Sequence, residues 1–287
     1  MAGINILVKC LKKNKMILAI SGKIGSGKDT VGQIIQYLST IDYPTNEEFI
    51  RRHIKSNDAL VQPKFEIKKF AYKLKQITAL LLGVSVEQLE DRDFKEKELG
   101  EEWWYYGAYQ HGFNKDELVS IHDKIEDAEY ILKFSHMNRI ELIKLTPRKI
   151  LQLLGTEAGR NIIHPNIWVN ALMSEYQLSY YTDGEQNNDG ISITYKDFPK
   201  WIITDMRFPN ELEAVKKRGG ITIRVNRMYE DKSVTSELRR NLYKHTNQHP
   251  SETALDNHKF DYVIDNSGSI SDLIDKVKEI LIKEQII

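Results

Sequence analysis

The stretch Lys15-Met16-Ile17-Leu18-Ala19-Ile20-Ser21-Gly22-Lys23-Ile24-Gly25-Ser26-Gly27-Lys28-Asp29-Thr30 decides the fold. Its first half is short, apolar and closed by glycine, the pattern of a strand buried on both faces of a parallel sheet. Its second half fits Gly-x-x-x-x-Gly-Lys. Glycines let consecutive backbone N–H groups turn inward around a phosphate, the following helix offers its positive end, and the lysine neutralises the β- and γ-phosphates. That pattern alone arises by chance in roughly one chain in twelve of this length. The flanking elements therefore carry the assignment: an apolar strand before it, and Val31, Ile34, Ile35 and Leu38 on one helical face after it. Gly22, Gly25, Ser26, Gly27, Lys28, Asp29 and Thr30 are the residues expected to hold the phosphates of ATP. Asp29 stands where a Ser or Thr usually offers its hydroxyl to Mg²⁺. Either Asp29 contributes a carboxylate or Thr30 supplies the hydroxyl, and shared duty is expected.

Outward from this stretch, a strand is expected at 65–70, feeding a helix with Ala71, Leu74, Ile77, Leu80 and Leu81 on its inner side. Thr146-Pro147 reads as an N-cap with proline at the first helical position, opening a helix to about Ala158. Another begins at Pro165 and carries Trp168, Leu172 and Tyr176. The final third alternates: strand 201–204, helix 210–217, strand 221–225, strand 262–264, helix 270–282. Strands alternating with helices predict a parallel five-stranded sheet wrapped on both faces, an α/β fold in three layers, α/β/α. Residues 84–140 mix charge with Trp103, Trp104, Tyr105, Tyr106 and Tyr109 and show no clean alternation, so a mostly helical insertion is expected there. The run 182–190 reads as a polar turn or mobile loop.

Composition narrows the function. Lys+Arg 41 against Asp+Glu 41 lacks the basic excess of a nucleic-acid coat or a polybasic membrane binder, so no nucleic-acid polymer and no membrane are expected as partners. Hydrophobic residues at 41% and charged residues at 29% fit an ordinary globular chain of 287 residues. The single Cys10 forbids an intramolecular disulfide. No run approaches the roughly 18 apolar residues of a membrane span, and residues 1–14 lack the order of a signal peptide. A cytoplasmic location is the expectation.

A second acidic site follows from Trp201-Ile202-Ile203-Thr204-Asp205, an apolar strand ending in a carboxylate. In a P-loop fold this arrangement holds Mg²⁺ or its waters, and ligands gather at the carboxyl ends of such strands. Arg207 could face the transferring phosphate. The plainer alternative has Asp205 capping the helix after Pro209.

Taken together, Ser21–Thr30, Phe70-Ala71-Tyr72-Lys73-Leu74-Lys75, the segment from Thr146 to Thr156 with Trp168, Thr204-Asp205-Met206-Arg207-Phe208-Pro209-Asn210-Glu211 and His249-Pro250-Ser251-Glu252 resemble bacteriophage deoxynucleoside monophosphate kinases. Order and spacing match from about 15 to 280. The P-loop piece is widely shared, whereas Arg-x-x-x-Leu-Gln-x-x-Gly-Thr and Asp-x-Arg-Phe-Pro-Asn-Glu are far more specific.

The resemblance implies one P-loop kinase domain over 1–287, with a helical acceptor-binding insertion over about 84–180 and a lid over about 227–258. It implies transfer of the ATP γ-phosphoryl group to a deoxynucleoside monophosphate, in the host cytoplasm if the source is viral, and it suggests a homodimer. It makes Lys28, Arg148, Asp205 and Arg207 the catalytic candidates and Asp29, Thr30 and Asp205 the Mg²⁺ candidates. Arg148, Gln152, Thr156 and Trp168 would form the acceptor site, with Lys75 and Arg92 as weaker members. The residue types suit those roles, since Arg148 can fork onto a phosphate, Gln152 and Thr156 can bond a base edge, and Trp168 can stack on its face. The alternative is that Arg148 and Gln152 are solvated and Trp168 is core. In the lid, Arg227, Arg239 and Arg240 could close over the phosphates; His245 and His249 have a spacing that could bind metal on a helix, but Pro250 and the polar surroundings favour surface histidines. Asp265-Asn266-Ser267-Gly268 either borders the adenine or is a plain turn. Two rivals stay open: a P-loop kinase for another acceptor, such as dephospho-coenzyme A or phosphomevalonate, and a nucleotide-dependent switch.

Overall fold

A computed structural model describes residues 17–42, 44–55, 63–111, 116–134, 137–186, 192–227 and 253–287. In chain order the elements begin with β1 (Ile17–Gly22), α1 (Lys28–Thr40), α2 (Asn46–Phe49), β2 (Glu66–Lys68), α3 (Tyr72–Leu82) and α4 (Arg92–Glu96). They continue with β3 (Trp104–His111), β4 (Asp116–His122), α5 (Ile125–Phe134), β5 (Met137–Lys144), α6 (Pro147–Gln152) and α7 (Ile167–Met173). The last are β6 (Ser179–Gln186), β7 (Ser192–Asp197), β8 (Trp201–Met206), α8 (Pro209–Lys217), β9 (Ile221–Asn226), β10 (Tyr262–Asp265) and α9 (Ile270–Lys283). The chain divides into two compact units, one from residues 1–72 with 168–287 and one from 73–167.

The first unit is built on a five-stranded sheet in the order β10-β9-β1-β8-β2, every pairing parallel. All five expected strands are there. β1 is central, and Ile17 to Ile20 are fully buried. Its alternate residues separate two cores, as the period of two in a strand requires. Leu18 and Ile20 pack with Val31, Ile34, Ile35 and Leu38 of α1 and with Leu273, Ile274 and Val277 of α9. Ile17 and Ala19 face the opposite way, toward Val169 and Leu172 of α7 and Leu212 and Val215 of α8. Three layers result, and each fully buried aliphatic side chain contributes about 1.5–3 kcal/mol. β6 and β7 form an antiparallel hairpin, so strand extends through Gln186 into the run expected to be a polar turn.

The second unit departs from expectation. In place of a mostly helical insertion it holds an antiparallel sheet in the order β4-β3-β5, with α5 packed on it. Charge and aromatics hide the strands from a periodicity search because they pair across strands. Trp104 sits opposite Lys144, whose Nζ lies 4.3 Å from its ring centre, and Tyr109 sits opposite Arg139, whose guanidinium lies 5.0 Å from its ring. Each such contact is worth about 0.5–1 kcal/mol at an exposed site.

The inner face expected for α3 is corrected as well. Leu74, Thr78 and Ala79 are buried, while Ile77, Leu80 and Leu81 are exposed. The Thr146 N-cap is as expected, its hydroxyl accepting from the N–H of Lys149 at 3.2 Å. The helix it opens runs on to Ile163 by changing after Gln152 to wider π-helical turns. Among the described residues no helix is long and apolar enough to cross a membrane.

Gly32 lets α1 approach the sheet. A Cβ there would lie 2.6 Å from Thr204 Cγ2 and 3.5 Å from Ile202 Cγ2 on β8. Gly32→Val should lower the unfolding free energy by about 1–3 kcal/mol through overpacking. The check is the denaturation midpoint, and an unchanged midpoint would mean that α1 can move off β8.

Candidate active site

The parallel register brings the carboxyl ends of β1, β8, β9 and β10 to one edge of the sheet, and the phosphate loop lies on that edge. Gly25 (φ 76°) and Gly27 (φ 94°) are left-handed, a conformation L side chains rarely adopt. At Gly27 a side chain would also collide with Asn266 Nδ2. That amide donates to the Ser26 carbonyl at 2.9 Å, and the Asn266 N–H donates to Asn226 O at 2.7 Å. The turn after β10 therefore clamps the loop.

Lys28 is nearly buried, and its ammonium donates to the carbonyls of Gly22 and Lys23, each at 2.7 Å. The cation is held at the mouth of the loop by the loop's own backbone. Ser26 Oγ is buried and has no hydrogen-bond partner among the described residues. A buried hydroxyl in that state costs about 1–3 kcal/mol, and a phosphate oxygen is the kind of acceptor that would satisfy it. Left-handed glycines, a confined ammonium and an unsatisfied hydroxyl together fit a polyphosphate.

The acidic groups divide their work differently from expectation. Asp29 is exposed, its Oδ1 accepting from Thr204 Oγ1 at 2.9 Å with Lys69 Nζ at 3.4 Å. Thr30 is half-buried on the first turn of α1. Asp205 accepts the N–H of Phe70 at 2.7 Å on one oxygen and that of Ala71 at 3.0 Å on the other. Its carboxylate thus fixes the backbone after β2 and does not cap α8. The capping carboxylate is Glu211, buried, which accepts from the N–H groups of Arg207 at 2.7 Å and Phe208 at 3.1 Å. Arg207 is half-buried in that turn. Among the described residues no three acidic or histidine side chains cluster as a metal cage. Mg²⁺ ordinarily takes only one or two carboxylates plus phosphate oxygens and water, so Asp29 and Thr30 fit it as partial ligands.

Sequence reasoning missed a network at this rim. Asp256 takes Arg224 Nη2 at 2.7 Å on one oxygen and stands 3.3 Å from Lys23 Nζ with the other, while Arg224 Nη1 donates to Ser21 Oγ at 3.1 Å. No spacing rule links residues so far apart in the chain. Of the lid arginines, Arg227 is exposed just past β9. Arg239 and Arg240, with His245, His249 and most of 227–258, lie outside the described residues.

Of the acceptor candidates, Lys75, Arg92, Arg148, Gln152 and Thr156 belong to the second unit and Trp168 to the first. Lys75 pairs with Glu90 at 2.5 Å and Arg148 Nε with Glu96. Arg92 is exposed at the start of α4. Arg148 and Gln152 are one α-helical turn apart, but Thr156 falls in the π-helical stretch, where the four-residue spacing no longer guarantees a shared face. Trp168 is only 5% exposed, so the open stacking face expected of it is covered.

A parallel α/β/α sheet carrying a lysine-closed glycine loop at its carboxyl edge defines the P-loop kinase class. The family model for deoxynucleotide monophosphate kinase matches residues 15–277, and the chain belongs to that family. It is similar to the deoxynucleoside-5'-monophosphate kinase of Escherichia phage T5, 30% identical over 217 residues, which are 70% of this chain and 72% of that one. It is also similar to the deoxynucleotide monophosphate kinase of Escherichia phage RB69, 28% identical over 134 residues, 47% of this chain and 44% of that one.

Asp205→Asn replaces one accepting oxygen with an NH₂ group that faces an N–H. It should cost about 1.5–3 kcal/mol of stability and speed hydrogen exchange at the Phe70 and Ala71 amides. Unchanged exchange at both would show that the carboxylate does not hold this segment.

Proposed function

We propose that this protein transfers the γ-phosphoryl group of ATP to the phosphate of a deoxynucleoside monophosphate, giving ADP and the diphosphate. A P–O bond forms from an acceptor phosphate oxygen, and the bond from the γ-phosphorus to the β–γ bridging oxygen breaks, leaving its electron pair on ADP. Family membership supports the acceptor class, and the observation that carries the donor half is one loop holding both the confined Lys28 ammonium and the buried Ser26 hydroxyl, which has no partner among the described residues.

The acceptor phosphate is already anionic near neutral pH, so no strong general base is required; what the site must do is align two polyanions and cancel their repulsion. Lys28 and the 22–30 backbone would hold the ATP phosphates. Asp29 and Thr30 would hold Mg²⁺, with Asp205 contributing through lone pairs not used on Phe70 and Ala71. The ion, when bound, neutralises phosphate charge. Arg207, half-buried beside the same edge, is the candidate to meet the transferring group. Arg148 and Lys75 would take the acceptor phosphate, with Gln152 and Thr156 on the base. Trp168, being covered, would act through packing in the core of its own unit. Arg92 would serve at most as a solvated outer charge. One P-loop kinase domain with an acceptor insertion and a lid over about 227–258 is the organisation consistent with this reading.

Two measurements test it. With ATP and a panel of deoxy- and ribonucleoside monophosphates, dephospho-coenzyme A and phosphomevalonate, ADP release should be strong with deoxynucleoside monophosphates; preference for another acceptor overturns the reading. Lys28→Ala should keep the native circular dichroism and lose about 10²–10³-fold or more in turnover, the scale of removing one charge-stabilising donor. Retained turnover would take the glycine loop out of the mechanism.

A further inference from the structure

Lys95 stands in α4 beside the two acceptor-site cations, and neither motif nor spacing draws attention to it. Asp91 caps that helix, accepting from the Phe94 N–H at 2.7 Å. The Lys95 ammonium donates to the Glu90 carbonyl at 3.2 Å. The Glu90 carboxylate holds Lys75, whose side chain is only 15% exposed, and the neighbouring Glu96 carboxylate holds Arg148. Two cations thus each hold a carboxylate, and the Lys95 ammonium sits on the main chain beside them.

Lys75 and Lys95 are partly buried there, while Arg148, Glu90 and Glu96 are open enough for a ligand to reach them. Burial first, then the charges of Lys75 and Arg148, hold the Lys95 ammonium below the usual lysine range, and Glu90 and Glu96 offset this only in part. A phosphate monoester brings roughly −1.5 to −2 charges at neutral pH and three strong acceptor oxygens, enough to engage three cations at once. A guanidinium can pass from a carboxylate to a phosphate while keeping the same two-pronged hydrogen-bond geometry.

We infer that Lys95 is a third binding cation for the acceptor phosphate, alongside Lys75 and Arg148, and that Glu96 is a built-in counter-ion which occupies Arg148 until the incoming monophosphate displaces it. This rests on the acceptor reading above. It predicts that the monoester phosphate is the main handle on the acceptor, and it assigns α4 a role through Lys95 that Arg92, exposed at the other end of the same helix, does not fill.

The test is calorimetric titration of the full chain, without ATP, using the deoxynucleoside monophosphate that the wild type phosphorylates fastest, and separately with ATP alone. Lys95→Met should weaken monophosphate binding by about tenfold or more and leave ATP binding within about twofold, with Lys95→Arg recovering most of the loss. Glu96→Gln should tighten monophosphate binding several-fold, because the internal competitor for Arg148 is gone. Monophosphate affinity unchanged in Lys95→Met, or equal weakening toward both nucleotides, overturns the role of Lys95. Unchanged or weaker binding in Glu96→Gln overturns the counter-ion. A wild type that phosphorylates no deoxynucleoside monophosphate overturns the parent reading, and that outcome is separate because it appears before any variant is compared.

Discussion

A buried ammonium must find oxygen atoms, and in this protein Lys28 finds them on the backbone of the loop that precedes it. The bonds to the Gly22 and Lys23 carbonyls draw the loop into a ring whose closure depends on left-handed Gly25 and Gly27. The ring needs a rigid floor, which β1 supplies by being buried on both faces between strands at either side. It also needs a wall, which Asn266 supplies from the end of β10. The three-layer architecture thus appears at the phosphate loop as a set of fixed backbone groups around one cation.

A chain with equal numbers of acidic and basic residues can still gather cations, because it matches them locally. Lys23 and Arg224 share Asp256, Lys69 stands near Asp29, Lys75 has Glu90, and Arg148 has Glu96. Such partners keep the cations in place at little cost, since partly exposed ion pairs are worth only about 0–1 kcal/mol. A ligand with more charge than a carboxylate can therefore outcompete them.

The parts of this arrangement that were legible in the sequence share one property: they depend on neighbours along the chain. The apolar run 17–20, the glycine loop, the Thr146-Pro147 helix start and the strands at 201–206, 221–226 and 262–265 are each written in a short window. What was not legible depends on pairing at a distance. The sheet of β3, β4 and β5 hides behind Trp104 and Tyr109, whose partners lie 40 and 30 residues away in register with Lys144 and Arg139. The exposed side of α3 looked like a core face because Ile77, Leu80 and Leu81 have the right spacing, and spacing says nothing about what a face meets. Lys95 is not legible because a lysine on a short charged helix has no periodic signature, and the cations that act on it, Lys75 and Arg148, come from other elements.

The segment Asp205-Met206-Arg207-Phe208-Pro209-Asn210-Glu211 carries a lesson of its own. Both of its carboxylates are engaged with main-chain amides, Asp205 with those of residues 70 and 71 and Glu211 with those of 207 and 208. Replacing either loosens main chain that these carboxylates hold, so a drop in product can begin in the scaffold. Intolerance to substitution along such a stretch is thus a measure of architecture as much as of chemistry, and only a paired readout of folding and turnover separates the two.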